Sequence, residues 1–260
     1  MNSKANGALA GKVAVVSGST SGSGRAIARR FVAEGATVVL LARGKERLLA
    51  EAEVHGDGAI PIVTDVGDSD SVRNAFSEID ERFGKLDILV NNAAVYRPCL
   101  AEDLSDFDIE RQVRTNYLGP VHTCRAAIPL LRAAGGGDIV NTSSESTLDP
   151  FPMLSMYVSS KAALEAFSRT LMTELQQDDI RVTVVVQGVA TDGDGSTDWS
   201  WGPEQAAAAY QLWTERGYLA RVLGREGSAG QSVDDIADVH LYVITRPRGQ
   251  KLDTIHVRSY

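Results

Sequence analysis

Seven short apolar runs, rich in β-branched residues and separated by segments of helical spacing, constrain this chain more than any other feature. They are Lys12–Ser17, Thr37–Arg43, Ala59–Val66, Leu86–Asn91, Asp138–Ser143, Ile180–Val186 and Asp253–Arg258. Their apolar residues run on almost without a break instead of alternating with polar ones. That marks a sheet covered on both faces, and such sheets are parallel. Parallel neighbours need long crossovers. Gly24–Glu34, Lys45–Val54, Asp70–Phe83, Tyr157–Gln177 and Ser232–Ile244 read as those crossover helices. A longer helical stretch runs from about Ser105 to Arg132, with an interruption expected near Gly119-Pro120. The expected fold class is α/β, a doubly wound parallel sheet in a single domain. A length of 260 residues suits one such domain over 11–260, preceded by a short polar extension over 1–10.

Composition narrows the function. The formal net charge is -8, which argues against a nucleic-acid or anionic-membrane partner, since both call for a basic footprint. No run approaches the ~20 apolar residues of a membrane span, and the first ten residues lack a signal peptide's apolar core. By elimination a cytoplasmic location is expected. Cys99 and Cys124 have neither disulfide nor metal-ligand spacing, and His55, His122, His240 and His256 are scattered, so no metal site is expected.

Between the first strand and the first helix stands Ser17-Gly18-Ser19-Thr20-Ser21-Gly22-Ser23-Gly24. Glycine permits the positive φ of a tight turn and lets backbone approach a phosphate. The helix N-terminus behind the loop offers unpaired N–H groups and the positive end of a dipole. In a strand–loop–helix setting this is a dinucleotide-binding signature. Its Gly-x3-Gly-x-Gly spacing resembles the short-chain dehydrogenases/reductases, in their short single-domain branch.

Further motifs follow in the family's order. Asp65-Val66 closes the third strand. Asn91-Asn92-Ala93-Ala94 follows the fourth and is similar to the family's Asn-Asn-Ala-Gly. Asn116 lies within the long helix. Ser143-Ser144 closes the fifth strand, and Tyr157-Val158-Ser159-Ser160-Lys161 matches Tyr-x-x-x-Lys. The resemblance implies a Rossmann-type fold and an oxidoreductase that interconverts a ketone or aldehyde with an alcohol by hydride transfer. It assigns catalysis to Asn116, Ser144, Tyr157 and Lys161. It assigns cofactor contacts to Gly18, Ser19, Ser21, Gly22, Ser23, Gly24, Asp65, Val66, Asn92, Ala93, Tyr157, Lys161, Gly188, Val189 and Thr191.

The chemistry fits those residue types. Reduction of a carbonyl leaves an alkoxide that needs a proton, and a free tyrosine with a pKa near ~10 is a poor partner at neutral pH. Tyr157 and Lys161 are four apart and share a helix face, so the lysine cation is placed to lower that pKa. The Ser144 hydroxyl can polarise the carbonyl. By resemblance Lys161 also holds the nicotinamide ribose, and Asn116 anchors a proton-relaying water. At the end of the second strand, Ala42 stands where an NAD-preferring relative has an acid, and Arg43 follows. A guanidinium can clamp a 2′-phosphate, so NADP(H) is favoured, with NAD(H) as the other possibility. Three departures from the family pattern are Ala94 for Gly, Gln187-Gly188 for Pro-Gly, and Thr191 one residue early.

The segment from Thr191 to Gly230 carries seven glycines and all three tryptophans, Trp199, Trp201 and Trp213, and reads as an irregular substrate lid. With Met153, Leu154 and Val189 it suggests a medium-sized, largely apolar carbonyl or alcohol substrate. Phe167, Leu171 and Leu175, four apart, suit a helix–helix seam in a homo-oligomer, a tetramer or a dimer. The rival reading is a nucleotide-binding regulatory protein that keeps the fold without turnover.

Overall fold

The computed structural model describes residues 7–191, 202–218 and 231–258. Seven strands form one parallel sheet: β1 (Val13–Ser17), β2 (Thr37–Ala42), β3 (Ala59–Val63), β4 (Ile88–Asn91), β5 (Gly137–Ser144), β6 (Ile180–Gln187) and β9 (Thr254–Val257). Their order is β3-β2-β1-β4-β5-β6-β9. Every pairing is parallel, from Val38 opposite Ala59 at one edge to Gln187 opposite Val257 at the other. The expected doubly wound Rossmann-type sheet is what forms. β1, β2 and β4–β6 are apolar on both sides because helices cover both faces. Val15, Val39, Leu89 and Val184 point to one core, and Val16, Leu40, Val90 and Val185 to the other.

The first core lies under α3 (Ser69–Phe83), α5 (Gly119–Ala133) and α6 (Ser155–Glu174). The second lies under α1 (Gly22–Ala33), α2 (Lys45–His55) and α8 (Val233–Ile244). Asp68 caps α3 by accepting from the N–H groups of Asp70 and Ser71. Ser232 and Asp235 form a capping box on α8, as the Ser-Val-Asp-Asp start of that helix suggests. The chain reverses its winding between β1 and β4, and ligands bind such sheets in the crevice beyond the strand ends at that point.

Several expectations shift. The third strand stops at Val63, so Asp65 and Val66 lie in the loop beyond it. The break in the long helix falls earlier than Gly119-Pro120. α4 (Asp106–Val113) passes into a π-helical turn at Arg114–Leu118, and Pro120 sits in the first turn of α5. Pro120 has no N–H, so a carbonyl of that turn loses its helical donor, and the wider turn is the accommodation. The stripe of Phe167, Leu171 and Leu175 is no free seam. Leu171 and Leu175 are buried in the first core with Phe167 packed against it. A spacing of four shows that a face is buried but not what covers it.

The segment expected to be irregular contains α7 (Pro203–Glu215), which starts with Pro203 after Gly202 and continues through four alanines. Helix propensity there outweighs the flanking glycines. β7 (Ala190–Thr191) pairs in parallel with β8 (Gln231–Ser232) and closes the segment at its base. Trp199 and Trp201 fall outside the described residues. Among the described residues no helix is long and apolar enough to cross a membrane.

Candidate active site

A cavity of about 830 Å³ opens at the switch point, lined by the ends of β1, β2, β3 and β4. Gly18 and Ser21 face it from the glycine loop, Arg43 from just beyond β2, Asp65 and Val66 from beyond β3, and Asn92, Ala93 and Ala94 from beyond β4. The loop is shaped by close backbone approach. Gly18 holds a φ of +68°, and a Cβ there would meet the Ala93 Cα at 2.8 Å. A Cβ on Gly24 would run into the Gly18 carbonyl and the Asn92 amide. A Cβ on Gly22, by contrast, would meet nothing within 4 Å, so the first turn of α1 opens onto space. That open helix end, with its free N–H groups, is where a pyrophosphate fits.

Ser17 ties the loop to β4: its hydroxyl accepts from the backbone N–H groups of Asn92 and Ala93, both at 3.1 Å. Asp65 caps its own turn, accepting from Gly67 N–H at 2.9 Å. The Ser19 side chain is buried and turned back towards the Leu41 carbonyl, so it does not line the cavity. Its hydroxyl helps shape the loop and is not presented to a ligand. Ser23 is likewise engaged, accepting from Gln187 Nε2 at 3.0 Å.

Arg43 is exposed at the adenosine end, and the sequence reading missed its company: Lys45 and Arg47 line the same cavity. Three cations within five positions, none committed to an ion pair among the described residues, suit a phosphate better than one does. The signal was present in Arg43-Gly44-Lys45-Glu46-Arg47, where Lys45 and Arg47 open α2. Taken together the cavity, the open loop and this cationic mouth fit a dinucleotide bearing an extra phosphate.

The other four candidates meet around the ends of β5 and α6. Ser144 is the last residue of β5, and its Oγ receives the Ser146 hydroxyl at 2.9 Å. Tyr157 lies in the first turn of α6, hydrogen-bonded side chain to side chain with Ser144. Lys161 follows one turn on, almost fully buried, and donates through Nζ to the Thr142 carbonyl at 2.7 Å. Its ammonium lies 5.9 Å from the centre of the Tyr157 ring.

The expectation that Lys161 depresses the tyrosine pKa is not met. Burial raises Tyr157 above its ordinary value, and the Ser144 hydrogen bond only partly opposes it. Burial also brings Lys161 down to about 8, against the nearby charge of Glu165. Desolvation penalises both charged forms and is the largest cause of each shift.

Asn116 is fully buried in the π-helical turn and acts as a clamp. Its Oδ1 accepts from Val95 N–H at 2.8 Å, and its Nδ2 donates to Val95 C=O at 2.7 Å and to Ser160 Oγ at 3.0 Å. One amide thus joins the loop after β4 to the helix that carries Tyr157. Gly188 and Val189 follow β6, away from the cavity wall. Val189 N–H donates to Glu145 Oε1 at 3.2 Å. Thr191 contributes its backbone to β7, and its side chain lies outside the described residues.

Two buried groups behind the site were not anticipated. Glu145, next to Ser144, is pushed towards its neutral form by burial. His240 is fully buried, contacts Thr142 Oγ1 at 3.3 Å and the Ile236 carbonyl at 2.8 Å, and is held near a pKa of about 4 by burial. Neither stands out in sequence, because each acts on residues far away along the chain.

An aromatic group closes the substrate side. The Tyr96 and Tyr157 rings lie 5.5 Å apart, and Phe151 meets Trp213 edge-on at 5.4 Å and Tyr218 at 5.7 Å. Trp213 is buried, its indole N–H donated to Pro152 C=O at 2.9 Å, which docks α7 onto the segment before Tyr157. Met153 in that segment holds a φ of +68°, and its carbonyl accepts from Cys99 N–H at 2.8 Å.

Comparison with known proteins agrees with this geometry. Residues 12–198 match the family model described as short chain dehydrogenase. Among curated relatives, 11-beta-hydroxysteroid dehydrogenase 1A of Arabidopsis thaliana is 37% identical over 185 residues, which is 69% of this chain and 52% of the relative. The chain thus spans about half the length of that relative. Among solved structures, L-sorbose reductase from Gluconobacter frateurii, complexed with NADPH and L-sorbose, superimposes with a TM-score of 0.82 at 29% identity over 96% of each chain. A metagenomic short-chain oxidoreductase in complex with NADP gives 0.78 at 27% identity, over 97% of this chain and 99% of the other. With the family model covering most of its length and the Ser, Tyr, Lys and Asn of the motifs gathered at one sheet end, the chain belongs to the short-chain dehydrogenase/reductase family.

Proposed function

We propose that the protein is an NADP(H)-dependent oxidoreductase that interconverts a ketone or aldehyde with an alcohol, on a medium-sized, largely apolar substrate. The observation that carries this reading is the convergence of Ser144, Tyr157 and Lys161 at the end of β5, next to a dinucleotide-sized cavity whose far mouth holds Arg43, Lys45 and Arg47. When bound, NADP(H) would provide the chemistry of hydride transfer. Tyr157 holds the proton that the nascent alkoxide needs, and its raised pKa keeps that proton in place until charge develops. Lys161, at about 8, still carries its charge at neutral pH and stabilises the tyrosinate left behind. Ser144 donates to the substrate oxygen and orients it. Asn116 keeps the β4 loop and α6 in register. Tyr96, Phe151 and Trp213 exclude water from the transfer path and favour an apolar substrate over a polyol.

Assembly as a homo-oligomer is part of this reading. With the Phe167 stripe spent on the core, Phe107 of α4, 71% exposed, is a side chain that a subunit seam would cover, and light scattering reads the mass. The direct test of function is a panel of ketones, aldehydes and alcohols followed by cofactor absorbance. NADPH oxidation with apolar ketones and little with sugars is expected. Tight NADPH binding without turnover on any member would favour the regulatory reading instead.

A further inference from the structure

Gln187 ends β6, opposite Ser144 on one side and Val257 on the other. Its Nε2 donates to Ser23 Oγ at 3.0 Å, joining the far end of the sheet to the first turn of α1. Its Oε1 is buried with no hydrogen-bond partner among the described residues. An amide oxygen left unsatisfied in the interior has given up its water with nothing in return. Such orphans are rare enough in folded proteins that each calls for a missing partner.

The backbone around it has little left to give. Gly188 N–H is spent on Val257 C=O at 2.8 Å, Val189 N–H on Glu145, and Gln231 Nε2 also on Val257 C=O, at 3.1 Å. A hydride acceptor held by the Ser144 and Tyr157 hydroxyls requires a nicotinamide at the ends of β5 and β6. Its carboxamide carries the one N–H donor group on the ring. The geometry points to Gln187 as the residue that orients the nicotinamide, with Oε1 accepting from the carboxamide amine while Nε2 stays anchored to Ser23. The terminal amide torsion is broad, so a modest turn presents Oε1 without releasing the serine. Side-chain amide and glycine loop then act together: the loop that receives the pyrophosphate also fixes which way the ring faces. This assignment rests on the NADP(H) reading above.

The test is binding, read by calorimetry, of NADP+ and of 3-acetylpyridine adenine dinucleotide phosphate, in which a methyl group replaces the carboxamide amine and the carbonyl is kept. The unaltered protein is expected to bind NADP+ about tenfold more tightly than the analogue, the scale of one hydrogen bond to a buried acceptor. Gln187→Met, of similar length, should bind both alike. Ser23→Ala, which loosens the anchor without touching the acceptor, should show a reduced gap. Equal affinities in the unaltered protein, or a gap that survives in Gln187→Met, overturns the assignment while leaving the cofactor reading intact. Failure of the unaltered protein to bind either dinucleotide overturns both.

Discussion

The two ends of the site are built on opposite physical plans. At the adenosine end the polar groups that matter are exposed cations, Arg43, Lys45 and Arg47, with no ion pair to hold them among the described residues. At the chemistry end Lys161, Asn116 and His240 are buried and each is hydrogen-bonded. A cation at the surface recognises a phosphate cheaply but is screened by salt. A buried group is costly to install, yet its proton affinity moves far from the value in water, and proton transfer needs that freedom. On the proposed reading the first end tunes which cofactor is held, and the second sets what happens to the substrate.

That contrast can be broken from the buried side first. Asn116→Ala leaves the N–H and C=O of Val95 and the Ser160 hydroxyl without their shared partner. A loss of about 2 kcal/mol in stability is expected from the unsatisfied groups, with turnover reduced on the order of tenfold or more. Denaturant titration and steady-state rates read both. A variant as stable and as active as the parent would show that the clamp is decorative.

Less is expected at the exposed side. Arg43→Ala should weaken NADPH by about tenfold and NADH hardly at all, since Lys45 and Arg47 remain. The NADPH preference should shrink with added salt in the unaltered protein. An NADH preference in the parent, or a salt-independent gap, would place the 2′-phosphate elsewhere.

The smallest effect concerns pH. His240 has an ordinary value of 6.5 and is held at about 4 in the fold. The unfolded chain therefore binds more protons across that window. The stability that His240 contributes is fully present above pH 6.5 and is lost as the pH falls towards 4. In His240→Gln the decline in melting temperature over this range should be shallower. An unchanged slope would assign acid sensitivity to other groups.

The two ends also differed in how much the sequence disclosed. Gly18, Arg43, Asp65 and Asn92 could be read because each sits at a strand end in chain order, and the strands were plain from their unbroken β-branched runs. Tyr157 and Lys161 were readable because four residues along a helix is one face. What escaped was long-range or environmental. The Gln187–Ser23 bond spans 164 positions. The dominance of burial over the Ser144 hydrogen bond at Tyr157 depends on how tightly the site is packed, which spacing does not encode. α7 is hard to read in sequence because flanking glycines mask the run of alanines between them. The break in the long helix precedes the Gly-Pro pair that marks it in sequence, because the carbonyl that loses its donor lies one turn before Pro120.

The account turns on Tyr157 carrying the proton at an end of the site separate from where the cofactor's phosphate is held. Stopped-flow mixing of the NADPH-loaded protein with an accepted ketone, for the parent and for Tyr157→Phe, tests this in one reading. The parent should lose NADPH fluorescence in a single fast turnover. The variant should stay loaded with NADPH and react at least ~10²-fold more slowly, the scale of general acid–base catalysis. A phenylalanine variant that turns over at the parent's rate would contradict the assignment, and one that no longer holds NADPH would contradict the separation of the two ends.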